Sequence, residues 1–351
     1  MKKWHIALAI AFVAVTLTLT AYAQGEPPLR LLKFVSLPGL EGQDFDHFNY
    51  DLKANRLYLA AEANKSVEVF NLRTGEHLRS IGGFVSPHAI IIPPNSDKIF
   101  VTDEDRGKMG WTRSVSKDTG KIVNNIELPI GADVKAFDPV TNYGYVRGRS
   151  PKGAKTIQVA IIDTKDFKHI GDIFFPGDRL EGMAIEQTGK RRLFVGLTGT
   201  REVGAADLNT REVVARWSVP EATPDAIVQA IALDEADHRL FVACRKPGNL
   251  FVFNTDTGEV VARYPGPSIM DDLDWDAVRK RIYIPGGPAT SVFQQLDPDR
   301  YEHIADVPTG TEGQEGKTAL FVPQLGLYYV ALSGEVKPNA KVGVKIFQAV
   351  R

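Results

Sequence analysis

Short runs in which apolar and polar residues alternate, broken by Gly, Asn, Asp and Pro, fill this chain and predict half-buried β-strands. The stretch Asn71-Leu-Arg-Thr-Gly-Glu-His-Leu-Arg-Ser-Ile81 sets a frame that recurs at 116–126, 163–173, 207–217, 254–264 and 297–307. Each copy opens on Asn, Ser or Asp, carries Thr-Gly or a polar pair in the middle, and closes on alternating apolar residues. That is a strand, a tight turn and a second strand. Upstream lies another frame, basic-aliphatic-aromatic-aliphatic: Arg56-Leu-Tyr-Leu59, Lys98-Ile-Phe-Val101, Arg192-Leu-Phe-Val195, Arg239-Leu-Phe-Val242 and Arg281-Ile-Tyr-Ile284. Gly144-Tyr-Val146 and Leu327-Tyr-Tyr-Val330 are weaker copies. Further upstream come runs such as His47-Phe-Asn-Tyr-Asp51 and Ala230-Ile-Ala-Leu-Asp234.

Each unit is therefore four short strands. The first strands start near Asp46, His88, Asp133, Glu181, Gln229, Asp271 and Lys317, 42 to 48 residues apart. This period predicts an all-β fold, a seven-bladed β-propeller with four-stranded antiparallel blades. The seventh unit holds only three strands, and Leu31-Leu-Lys-Phe-Val-Ser-Leu37 is an orphan strand near the other end. Adding it to the last blade closes the ring and removes open edges, which makes 24–351 a single domain. The segment 225–237 has helical propensity, but the repeat places it in a first strand and the following turn.

At Phe100-Val-Thr-Asp103, Phe194-Val-Gly196 and Tyr58-Leu-Ala60, followed by Lys65-Ser-Val-Glu-Val-Phe-Asn71 and Thr74-Gly75, the sequence resembles the YVTN-type β-propeller repeat family. The resemblance covers essentially all of 24–351 and implies an exported bacterial seven-bladed propeller; its motifs are structural and imply no chemistry. Blade 2, with Gly110-Trp-Thr-Arg-Ser-Val115, and blade 3, without the basic residue before its second strand, depart from the pattern and are expected to be irregular. Trp275-Asp276 ends a first strand, so it is not the Trp-Asp signature that ends a third strand in WD40 repeats.

Lys2 and Lys3 precede an uncharged stretch from Ile6 to Ala23 that ends Ala21-Tyr22-Ala23. This is the pattern of a cleaved signal peptide at 1–23 rather than a retained anchor, and it implies a periplasmic or secreted protein with no transmembrane segment after cleavage. The single cysteine, Cys244, is too far from the cleavage site to carry a lipid and has no partner for an intramolecular disulfide. It is expected as a small buried hydrophobe. With 43% hydrophobic and 24% charged residues and a formal net charge of −1, the chain is neither disordered nor a multi-span membrane protein. Nor is its whole surface built for nucleic acid.

Innermost strands line a propeller's channel. The strand starts Asp46, His88, Asp133, Glu181, Gln229, Asp271 and Lys317, with His47 beside them, are therefore expected to ring one channel mouth and are the candidate ligand-binding residues. Crowded carboxylates raise one another's pKa or recruit a cation, and oxygens with imidazole suit a divalent metal. The candidate metal ligands are His47 and His88 with Glu62 and Asp103 at the ends of second strands. A hydrated mouth with turn-capping acids is the alternative. His77, His169 and His303 share one position on outermost strands and cannot converge. On the mouth's face, the loop 147–155 places Arg147, Arg149, Lys152 and Lys155 together as a candidate site for phosphate, acidic polysaccharide or nucleic acid.

The chain carries no Gly-x-Ser-x-Gly, Walker, Cys-x-x-Cys or His-Glu-x-x-His motif. The expectation is a monomeric, exported, non-enzymatic binding or interaction protein. Its partner would be an envelope protein, a polysaccharide or a small ligand, and a divalent metal in the channel is the one cofactor to consider. The alternative is a lactonase-like or lyase-like enzyme with a metal or histidine at the mouth, by analogy with other propellers.

Overall fold

The polar residue that opens each repeat frame folds the turn that follows it. Asn71 Oδ1 accepts the N–H groups of Arg73 and Thr74, both at 3.0 Å, and the Gly75 N–H donates to the Asn71 carbonyl at 2.8 Å. Gly75 takes a φ of 68°, which favours glycine. Asp207 and Asn254 repeat the arrangement, joining third strand to outermost strand. The basic residue of the other frame secures the turn before it: Arg56 donates to the carbonyls of Ala54 and Asn55, and Arg239 to those of Asp237 and His238. The aromatic residue of that frame is core. Tyr58, Phe100, Tyr145, Phe194, Phe241, Tyr283 and Tyr328 are all at most 2% exposed, and they wedge between blades, as Tyr283 does against Tyr328 at 5.3 Å.

The computed structural model describes residues 26–37, 39–40, 44–128, 131–148, 155–220, 223, 225–310, 315–333 and 342–350. Residues 1–23, expected as a signal peptide, and Arg149 and Lys152 of the basic loop lie outside them. The described residues form seven four-stranded antiparallel sheets, a seven-bladed β-propeller. The innermost strands are Phe48–Asp51, Pro87–Ile91, Lys135–Asp138, Leu180–Ile185, Ile227–Asp234, Asp274–Asp276 and Glu315–Val322. Ile227–Asp234 is strand, so position in the repeat overrides local helical propensity. Blades 2 and 3 have all four strands, and register shifts interrupt both, at Pro87/Ile90 and Ser114/Val115 in blade 2 and at Ile161/Ile162 in blade 3, as they do the other blades. Gly110 stands where an apolar residue was expected because a Cβ there would lie 2.0 Å from the carbonyl carbon of Gly131. Cys244 is buried on a second strand, and burial pushes its thiol up to about 12, which leaves it inert. No helix among the described residues is long and apolar enough to cross a membrane.

The last blade takes its outermost strand from the other end of the chain. Leu29–Ser36 pairs antiparallel with Gly343–Ala349, from Leu29 opposite Ala349 to Ser36 opposite Gly343. Phe45, Phe48, Leu57, Phe70, Tyr329 and Ile346 then share one core across blades 7 and 1, and the Tyr329 hydroxyl donates to the Leu72 carbonyl. The seam is tight, since a Cβ on Gly343 would lie 2.2 Å from the Val35 carbonyl oxygen and 2.7 Å from the Phe34 ring. Gly343→Val is expected to lower the unfolding free energy by about 1–3 kcal/mol in urea titrations, and deleting 24–40 to lower the midpoint of the whole transition. A deletion variant that melts like the wild type would show that this strand does not hold the ring.

Candidate functional site at the channel mouth

The seven strand starts converge. Asp46, His88, Asp133, Glu181, Gln229, Asp271 and Lys317, together with His47, line one cavity of about 140 Å³ on the axis. Backbone bonds fix neighbouring starts to one another: the His47 N–H donates to the His88 carbonyl at 3.1 Å and the Asp271 N–H to the Lys317 carbonyl at 3.0 Å.

Two imidazoles share Asp46. His88 Nδ1 lies 2.6 Å from Asp46 Oδ2 and His47 Nε2 lies 3.3 Å from Oδ1. His47 Nδ1 is 2.7 Å from Asp272 Oδ1, whose partner oxygen accepts the Ala319 N–H at 2.9 Å. His88 Nε2 faces Glu104 at 3.5 Å, and His88 Nδ1 stands 3.9 Å from both Glu62 and Asp133. Burial acts to lower the pKa of both imidazoles, but the carboxylates outweigh it. Asp46, Asp272 and Asp271 bring His47 up to about 10, while Asp133, Asp46 and Glu104 hold His88 well above its ordinary value. Asp46 is held below the usual carboxylate range: burial would raise it, and the His47 charge with the His88 hydrogen bond prevails. The carboxylates around them therefore favour the imidazolium form of both.

The remaining ring charges are paired as well. Arg147, 1% exposed, bridges Asp133 and Glu181, and Arg179 meets Glu181 at 2.9 Å. Lys317 sits 2.9 Å from Asp44 and 3.3 Å from Asp271, which also pairs with Arg245. Burial pushes Asp271 up to about 6 against the pull of those two cations. At the rim, Arg106, with a side chain 63% exposed, pairs with Glu62 and lies 3.6 Å from Glu104.

Two expectations need correction. Asp103 does not reach the mouth: it is fully buried, accepts the backbone N–H groups of Val85 and Ser86, and pairs with Arg113. Side chains alternate along a strand, so its neighbour Glu104 faces the histidine instead. The repeat offset marks this residue, since Glu104 stands six places after Lys98, as Glu62 does after Arg56 and Arg245 after Arg239. Arg147 is not a loop cation open to anions; it ends the strand Tyr143–Arg147 and is buried against its two carboxylates. Of the basic loop, Lys155 is exposed. His77, His169 and His303 each meet a separate carboxylate, Glu68, Asp172 and Asp306. Sequence reasoning missed Asp44, Arg179 and Asp272, whose only signal was adjacency to a ring position. Asp46, Glu62 and His88 can each bring one ligand atom to within 4.8 Å of the others; His47, turned toward Asp272, and Asp103 do not join them.

The molecule is thus a seven-bladed β-propeller with a charged, internally paired channel mouth. No protein-family model matches the chain, and no curated protein matches its sequence. Among solved structures it is similar to a chain of Kuenenia stuttgartiensis hydrazine synthase, at 15% identity and a TM-score of 0.70 over 88% of this chain and 96% of that one. It is also similar to a chain of a mitotic checkpoint complex, at 14% identity and a TM-score of 0.72 over 99% of each chain. A third similarity is to U3-55K, at 10% identity and a TM-score of 0.72 over 90% of this chain and 98% of that one. At these identities the likeness shows the fold alone.

Arg147→Met removes the buried cation that Asp133 and Glu181 share and is expected to cost about 3–5 kcal/mol of stability, part of which Asp133→Asn in the same chain restores. Loss of less than about 1 kcal/mol in urea titrations would contradict the pairing. The His47 shift has a definite sign: its stabilisation is complete below the unfolded value near 6.5 and is lost as pH rises toward about 10. His47→Gln should therefore flatten the decline of unfolding free energy across that window, and an unchanged slope would contradict the assignment.

Proposed function

We propose that this chain is an exported, non-enzymatic binding protein of the YVTN-type propeller class that takes a cationic ligand, a divalent metal ion foremost, at its channel mouth. The supporting observation is a shortage of fixed positive charge. Asp44, Asp46, Glu62, Glu104, Asp133, Glu181, Asp271 and Asp272 gather against Arg106, Arg147, Arg179, Arg245 and Lys317. Protons retained on His47 and His88 make up most of the difference. A divalent ion can replace such a proton, with Asp46, Glu62 and His88 as its protein ligands. Arg106 competes for Glu62, yet it is exposed enough to turn away.

The same protonation weighs against the lactonase-like or lyase-like alternative, which needs a free base where both imidazoles are held as cations. The structural neighbours include a chain of a synthase and a chain of a checkpoint complex, so the fold favours neither class. The apolar segment ending Ala21-Tyr22-Ala23 supports export, and the repeat motifs support the family.

Calorimetric titration with Mn²⁺, Ca²⁺ and Zn²⁺ near neutral pH, in two buffers of different ionisation enthalpy, is expected to show one site with proton release. Asp46→Asn should weaken it by about tenfold or more, and Arg106→Met should tighten it by removing the competitor. Failure of both wild type and Arg106→Met to bind any of these ions would overturn the metal reading. Lactone turnover lost in His88→Ala would favour the enzyme.

A further inference from the structure

Below the mouth lies a second chamber of about 160 Å³, which shares His47, Val134 and Asp271 with the mouth and is lined by a lysine that has no ion-pair partner among the described residues. Asp272 commits one oxygen to His47 and the other to the Ala319 N–H, and Asp271 is held by Lys317 and Arg245. Lys135, the first residue of the innermost strand of blade 3, lines both this chamber and the groove on the far face. Burial lowers its pKa against the pull of the Asp272 charge, and it makes no ion pair or hydrogen bond with any described residue. Asp274, also on the wall, has its Oδ2 buried without a hydrogen-bond partner. Burial and the neighbouring Asp272 raise its pKa well above the usual carboxylate range, and it forms no ion pair with Lys135. The other walls are largely apolar, with Ala89, Met183, Ile231 and Leu320 among them.

We propose that this chamber binds a short-chain monocarboxylate, its carboxylate on the Lys135 ammonium and its alkyl end against Met183, Ile231 and Leu320. An ammonium without an ion-pair partner among the described residues calls for an anionic group within reach, and a charge-assisted hydrogen bond in a poorly solvated site is strong. The apolar walls favour an anion with an alkyl tail over a hydrated inorganic one. The site uses none of Asp46, Glu62 and His88, so it goes beyond the metal reading and stands apart from it.

The test is calorimetric titration of the full chain with acetate, propionate and butyrate near neutral pH at constant ionic strength, with chloride and propylammonium as controls. Propionate or butyrate is expected to bind at one site, with chloride and propylammonium silent. Lys135→Met and Lys135→Gln should each weaken that binding by about tenfold or more while leaving Mn²⁺ binding and the melting transition in place. Carboxylate affinity unchanged in both variants, or chloride binding as tightly as propionate, would overturn the proposal. Carboxylate binding in a protein that, like its Arg106→Met variant, takes none of Mn²⁺, Ca²⁺ and Zn²⁺ would support the proposal and sink the metal reading alone.

Discussion

Strands that begin around one axis place their first side chains in one small cavity, and whatever charge those side chains carry has to be compensated there. Four of the seven starts in this propeller are carboxylates, Asp46, Asp133, Glu181 and Asp271, and all face the same space. Unpaired, each would bear the cost of desolvation with nothing in return. Their partners come from several levels of the fold. Arg147 and Arg245 end second strands, Lys317 is a ring member itself, and Arg179 stands two residues before Glu181. Where no guanidinium or ammonium of the described residues forms an ion pair, at Asp46 and Asp272, the partner is His47 or His88.

That arrangement depends on ring closure. His47 belongs to the start of blade 1, Asp272 to the start of blade 6, and Lys317 of blade 7 joins Asp44 to Asp271 between them. The half of the mouth that holds the histidines therefore straddles the seam closed by Leu29–Ser36. A pairing of strands at the outer rim and a set of ion pairs at the axis are parts of one mechanical unit. Loosening the first separates His47 from Asp272.

The repeat made the architecture legible, because each frame carries its own turn chemistry: Asn71, Asp207 and Asn254 fold turns wherever they occur, and Tyr58 and its counterparts are buried in every blade. The ring of strand starts was legible for the same reason. What stayed hidden was phase and partnership. Asp103 and Glu104 are adjacent acids, and only the alternation of the strand decides that Glu104 faces His88. Arg147 looked like part of a basic loop because sequence proximity to Arg149 says nothing about the two carboxylates waiting across the mouth. Lys135 carried no signal at all, since its isolation is a property of residues on the far side of the ring.

The charge balance of the mouth requires that an excess of carboxylates keep both channel histidines protonated. Nitrogen-15 NMR of the imidazoles across a pH series measures this directly. Imidazolium shifts are expected for His47 and His88 well above neutral pH, with His47 titrating at about 10 and both moving toward ordinary values in Asp46→Asn. Titration of both in the wild type near the unperturbed value of about 6.5 would contradict it.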